Sequence, residues 1–163
     1  MPEVVSDTSP IQYLHQCNLL ELLPHLYGRV LVPDAVLREL GVGRSQGVFL
    51  PDVAALPWLI PRSAPPLGGL PLAADLGAGE REAIALAAGL RNPLLLLDDS
   101  LARQHARLLN LPFTGTLGVV LRGKERRVLD LVAPVIEQLE RLGFRLDRAT
   151  REAVLALAGE LRT

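Results

Sequence analysis

The sequence predicts an α/β fold: a three-layer parallel sheet with helices on both faces and two extra C-terminal helices. Three observations predict it. Short apolar, strand-type runs alternate with helical segments from Glu3 to Gly123. The run Leu94 to Leu97 is apolar without alternation, as a strand buried on both faces should be. Beyond Gly123 two amphipathic segments finish the chain.

Glu3 to Ser6 reads as a strand entering a turn at Asp7-Thr8-Ser9-Pro10, where Pro10 suits a first helical turn. Ile11, Leu14, Leu19, Leu20, Leu22 and Leu23 supply helical faces up to Pro24. Arg29 to Val32 is a second short strand, stopped by Pro33. Pro33 to Leu40 reads as a helix with Val36 and Leu40 on one face and Gly41 as its stop. From Gly41 to Gly79 glycine and proline are dense, and the reading is loop, with a short strand at Trp58-Leu59-Ile60. Glu80 to Leu90 is a helix preceded by Gly79, and Ser100 to Leu109 is another. Phe113-Thr114 is a short strand, and Gly115-Thr116 opens a helix through Arg122. Val132 to Leu142 and Val154 to Leu161 mark the last two helices.

A chain of 163 residues fits a single domain, with an α/β core over 1–123 and C-terminal helices over 124–163. A net charge of −1 excludes a non-specific polyanion coat but allows a local basic patch. The one cysteine, Cys17, excludes an intramolecular disulfide and a cysteine-spaced zinc site. It fits a reducing, cytoplasmic compartment. The N-terminus has no basic stretch followed by an apolar one, so no signal peptide is expected. No apolar run approaches the roughly 20 residues of a membrane span.

Open parallel sheets place their sites beyond the carboxyl ends of the strands. Asp7 follows the first strand, and Asp98-Asp99 follows the leucine run. Two carboxylates about 4 Å apart repel by roughly 4 kcal/mol at an effective dielectric near 20, and a hard cation removes that cost. The competing reading makes each Asp a helix N-cap. Glu39, at the edge of a buried helical face, and Glu80, at a helix start, are two further candidates. Alone, each reads as a surface charge or as a favourable first-turn acid. Arg122, Lys124, Arg126 and Arg127 form a basic cluster, read either as an RNA-phosphate contact or as a solvated helix end. His15, His25 and His105 lack metal-ligand spacing, and the aromatic residues form no base-stacking stripe. A phosphotransfer site needs a second Asp two residues after the first, and Ser9 stands there.

Five motifs occur in order: Asp7-Thr8-Ser9; Val32-Pro33-x-x-Val36-x-x-Glu39-Leu40; Gly79-Glu80-x-Glu82-Ala83-Ile84; Leu95-Leu96-Leu97-Asp98-Asp99; and Gly115-Thr116-Leu117-Gly118. Together they resemble the PIN-domain family, in particular a PIN-like bacterial and archaeal subfamily, over nearly the whole chain. The resemblance implies a Rossmann-like parallel sheet and a metal-dependent ribonuclease using Mg²⁺ or Mn²⁺, a hydrolase of RNA phosphodiesters. It implies Asp7, Glu39, Glu80 and Asp98 as the acidic quartet, Asp99 as a further ligand, and Thr8, Ser9 and Thr116 as supporting hydroxyls. It also implies the toxin of a toxin–antitoxin pair, with an antitoxin protein as partner and a homodimer formed through the leucine-rich segment Leu14 to Leu26. The sequence departs from the commonest pattern at Glu80, where Asp is usual, and by lacking an acid after the Gly115-Thr116 turn. An inactive PIN-like interaction module is the alternative.

Overall fold

The computed structural model describes residues 1–66 and 69–162. Leu67 and Gly68 of the glycine- and proline-rich stretch, and Thr163 at the end of the expected domain, lie outside the described residues. The strands are β1 (Glu3–Ser6), β2 (Val30–Val32), β3 (Leu59–Pro61), β4 (Pro93–Leu96) and β5 (Phe113–Thr114). The helices are α1 (Thr8–Gln16), α2 (Leu22–Tyr27), α3 (Asp34–Ser45), α4 (Ala78–Ala88), α5 (Ser100–Leu108), α6 (Thr116–Glu125), α7 (Ala133–Arg141) and α8 (Arg148–Leu157). All strand pairs are parallel, and the order is β3-β2-β1-β4-β5. The chain order reverses between β1 and β4, and the mouth of the sheet opens there.

Alternation along the strands builds the layers. Val4, Val30, Val32 and Leu96 face one core, shared with Ile11, Leu23, Val36, Leu40, Val119 and Val120. Val5, Leu31, Leu95 and Leu97 face the other, against Ala83, Ile84, Ala87, Ala102 and Ala106. Helices α4 and α5 therefore cover one face and the remaining helices the other. The C-terminal helices join the first core, through Val132, Val135, Ile136, Leu139, Val154 and Leu155. Among the described residues no helix is long and apolar enough to cross a membrane.

Several local expectations need correction. The first helical stretch is two helices, broken at Asn18, whose φ of 57° suits Asn better than a β-branched residue. Pro24 then sits in the first turn of α2, where no N–H is needed. Helix α3 does not stop at Gly41. It continues to Ser45, although each glycine costs about 1 kcal/mol relative to alanine. The returning chain supplies the reason: a Cβ on Gly43 would lie 2.6 Å from Leu50 Cδ1, so glycine lets the buried Leu50 seat against the helix. Gly79 lies inside the first turn of α4, not before it. Helix α8 begins at Arg148, and Leu161 falls beyond its end. The leucine-rich segment expected to form a dimer surface is core: Leu14, Leu20, Leu22 and Leu23 are all buried under the sheet.

Candidate metal centre

Asp7 continues the β1–β4 ladder by one bond, its N–H donating to Leu96 O at 3.1 Å. It stands at the N-cap position of α1, yet its side chain makes no capping hydrogen bond. The carboxylate is instead turned inward, 4% exposed. Glu39 reaches it from α3, and Gly79 from the first turn of α4. The N–H of Gly79 donates to Glu39 Oε1 at 3.0 Å, and the hydroxyl of Thr8 donates to Glu39 Oε2. A Cβ on Gly79 would lie 2.9 Å from Asp7 Oδ1 and 2.7 Å from Glu39 Oε2, so both carboxylates flank one small gap that only glycine leaves open.

Asp98 sits across the mouth, at the end of β4. Its Oδ1 accepts from Thr116 N at 2.8 Å and its Oδ2 from Thr116 Oγ1 at 2.7 Å. Thr116 thus fixes the carboxylate's direction, and Asp98 satisfies an orphan N–H at the start of α6. Asp99 behaves as the N-cap of α5, with Oδ2 accepting from Ala102 N at 2.9 Å. Glu80 spends Oε2 on the N–H of Gly77 at 3.0 Å. Ser9, Tyr13, Glu80, Asp98 and Asp99 line a shallow cleft of about 310 Å³.

The electrostatics follow from burial without a neutralising cation. Burial raises the Asp7 carboxyl to about 7; the N–H of Thr8 opposes this, and the charges of Glu80, Glu39 and Asp98 add to it. Asp98 is raised by burial, against the hydrogen bonds of Thr116 and the charge of Arg103. Glu80 is raised by burial and by the charges of Asp99 and Glu39, with the Gly77 N–H opposing.

These residues fit a hard divalent ion. The donors are all oxygen, two of the carboxylates flank a gap a Cβ would fill, and the most buried one lacks a protein countercharge. Among the described residues no three His, Cys, Asp or Glu side chains stand close enough together to hold a metal ion directly. That suits an ion held through one or two carboxylates with water completing its shell, as Mg²⁺ commonly is. Asp7 and Glu39, which flank the gap, would hold it directly, with Glu80 and Asp98 close enough to act through water.

The basic cluster is not brought to this mouth. Arg122 and Lys124 follow Thr116 along α6, roughly 9–12 Å farther at about 1.5 Å per residue, and Arg126 and Arg127 come after its end. Arg122 pairs with Glu125 at 3.4 Å and Lys124 with Glu160 at 2.7 Å. The cations beside Asp98 are Arg103 and Arg145, which the sequence did not single out. Arg145 carried no signal at all, standing in a helix–helix connection. Gly79 did have one, its place just before Glu80. Glu82, two residues beyond Glu80, is structural: its Oε1 accepts from Ala35 N at 3.2 Å, capping α3.

Comparison with known proteins adds one finding. A family model described as a PIN domain (DUF3368) matches residues 3–160. Nothing matches among the curated proteins. Nothing matches among the solved structures either. The match spans nearly the whole chain, including all four acids and both C-terminal helices. The chain therefore belongs to the PIN-domain family, whose members are typically nucleases that use divalent metal ions and act on nucleic acids.

Proposed function

We propose that this chain is an endoribonuclease that hydrolyses RNA phosphodiesters with Mg²⁺ or Mn²⁺. The observation that carries the reading is the gap at Gly79, flanked by Asp7 and Glu39, with Asp7 buried and unneutralised. When bound there, a divalent ion supplies Lewis-acid stabilisation of charge at the scissile phosphate. Asp7 and Glu39 hold it. Thr8 orients Glu39 and Thr116 orients Asp98. Glu80 keeps Oε1 for a hydrogen bond from water, since only Oε2 is spent on Gly77. A role as the toxin of a toxin–antitoxin pair, with an antitoxin and a homodimer, is the finer part of the proposal and rests on family likeness alone. A dimer would have to use apolar residues that are exposed, such as Leu108 or Leu157, because Leu14, Leu20, Leu22 and Leu23 are committed to the core.

The test is cleavage of single-stranded RNA by purified protein with Mg²⁺, Mn²⁺ or EDTA, beside Asp7→Asn. The reading expects metal-dependent cleavage that EDTA abolishes and Asp7→Asn lacks. Equal cleavage by both proteins would reject it. The second reading, an inactive interaction module, draws on Asp98, both of whose oxygens already bond Thr116. It takes over when millimolar Mg²⁺ or Mn²⁺ leaves the melting temperature unchanged.

A further inference from the structure

A second groove lies not over Asp7 but beside Asp98, between the β5–α6 junction and the turn joining α7 to α8. It encloses about 420 Å³, within the range of ligand sites. It shares Asp98, Phe144 and Arg145 with the shallower cleft that holds Glu80 and Asp99, so the two form one continuous channel past the acids.

Its walls differ in kind. One wall carries two glycines, Gly115 and Gly118. A Cβ on Gly115 would meet Arg103 and lie 2.7 Å from Asp98 Oδ1, and a Cβ on Gly118 would meet the Thr114 side chain. The other wall is apolar, built from Phe144, Leu146 and Val154, and Phe144 is held edge-on by Tyr13 at 5.0 Å. The cations stand at the acid end. Arg103 is fixed there by Nε donating to Leu97 O at 2.8 Å and by lying 5.3 Å from the Phe113 ring centroid. Arg145 is exposed and, among the described residues, in no ion pair. The carboxylate of Asp147 belongs only to the larger cavity, away from the acids, where it caps α8 through Thr150 N at 2.7 Å.

Resting on the nuclease reading for its location beside the acids, we propose that this groove is a nucleotide subsite. The phosphate next to the scissile one lies on Arg145, and its base lies against the apolar wall of Phe144, Leu146 and Val154. The polarity argues for that register: two cations at the acid end attract phosphate, and Asp147 repels it from the other. The dimensions argue for a single strand, because a pocket of this volume takes an unpaired nucleotide and not a double helix. The α7–α8 turn is then part of the substrate-binding wall, and Arg145 is its phosphate-contacting residue.

The test uses a short single-stranded RNA with a non-hydrolysable backbone, in EDTA, so that binding is read without cleavage. Fluorescence anisotropy compares wild type, Arg145→Gln and Arg126→Gln, with single-stranded DNA and duplex RNA of the same sequence as further arms. Arg145→Gln should weaken single-strand binding about tenfold and lower the slope of log K against log salt by about 0.7, the value for one phosphate contact. Arg126→Gln should stay within about twofold. Tighter RNA than DNA binding would assign the sugar as a further contact, within the same proposal. Unchanged binding by Arg145→Gln, an equal loss in Arg126→Gln, stronger binding of the duplex, or no binding by wild type would each overturn the subsite. The nuclease reading is scored separately: metal-dependent cleavage with equal kcat/KM for wild type and Arg145→Gln sinks the subsite alone. Arg145-dependent binding without any cleavage sinks the nuclease alone.

Discussion

Two carboxylates withdrawn from solvent, Asp7 and Glu160, meet opposite fates. Glu160 has its side chain 10% exposed and three donors around it: Lys124 Nζ at 2.7 Å, Val132 N at 2.8 Å and Ala133 N at 3.0 Å. Burial alone would raise its carboxyl, but these donors more than offset that and hold it below the ordinary value. Asp7 is 4% exposed, has acids for neighbours, and is raised to about 7. The first is a finished structural site, tying α7 to α6 and to the chain end. The second is electrostatically incomplete, and buried charge without a partner is costly. Such incompleteness is what the proposed cation site requires and a cap does not.

The widest break between the two should come from neutralising each in turn. Asp7→Asn should lower RNA cleavage by about 1,000-fold, the upper scale for removing one well-placed electrostatic group, while the far-ultraviolet circular dichroism stays unchanged. Glu160→Gln should leave the rate per folded molecule within about twofold of wild type. Loss of activity in the second variant equal to that in the first would erase the distinction.

The pH dependence should also separate them. In the metal-free protein Asp7 titrates near 7, against an ordinary 3.8. The folded state therefore binds that proton more tightly than the unfolded state. Its contribution to stability is full below about pH 4, falls as pH rises and levels off above about 7, losing up to about 4 kcal/mol at about 1.4 kcal/mol per pH unit. Urea unfolding at pH 4 to 8 checks this. The fall should shrink in Asp7→Asn to the part owed to Asp98 and Glu80, which are also raised, and shrink with millimolar Mg²⁺, which stabilises the fold by binding it. Wild-type stability that rises over this window relative to Asp7→Asn would mean that Asp7 has a cationic partner in the protein.

Gly79→Ala sharpens the comparison from the backbone side. The added methyl would enter the gap between Asp7 and Glu39. Apparent affinity for Mn²⁺, read by calorimetry, should drop about 100-fold, at the upper end for perturbing a metal site's surroundings. The helix itself should not suffer, since alanine is the better helix former. An unchanged affinity would place the ion elsewhere.

Glu160→Gln should cost about 2 kcal/mol of unfolding free energy, because it weakens hydrogen bonds assisted by charge. A loss below about 0.5 kcal/mol would mean that the Lys124 pair contributes as little as a surface pair.

The smallest expected effect is that of Thr116→Val. It removes the hydroxyl that orients Asp98 while keeping the backbone bond. Metal affinity and cleavage should fall about tenfold, and the smaller the fall, the more Asp98 owes its direction to the N–H alone.

Much of this arrangement was legible from residue order. Asp7 and Asp98 end strands, so alternation and the apolar run placed them at the mouth of a parallel sheet. What residue order could not separate was cap from ligand. Asp99 spends an oxygen on Ala102 N, whereas Asp7 occupies a cap position without capping. Glu82, in the same motif as Glu80, caps α3. The basic cluster looked like an RNA contact, but it follows α6 away from the mouth, and Lys124 is held by Glu160.

The amino-acid sequence by itself determined the strands, the two-faced cores and the strand-end acids, because those depend on periods of 2 and 3.6 residues that any local stretch displays. Val4 and Val5 go to opposite cores for no reason beyond alternation. Only the tertiary structure decided that Gly79 returns beside Glu39, 40 residues earlier in the chain, that Leu50 carries α3 through two glycines, and that Arg145 arrives next to Asp98. Those contacts depend on where loops bring the chain back. That is fixed by how all the elements pack at once, and no local pattern in the sequence encodes it.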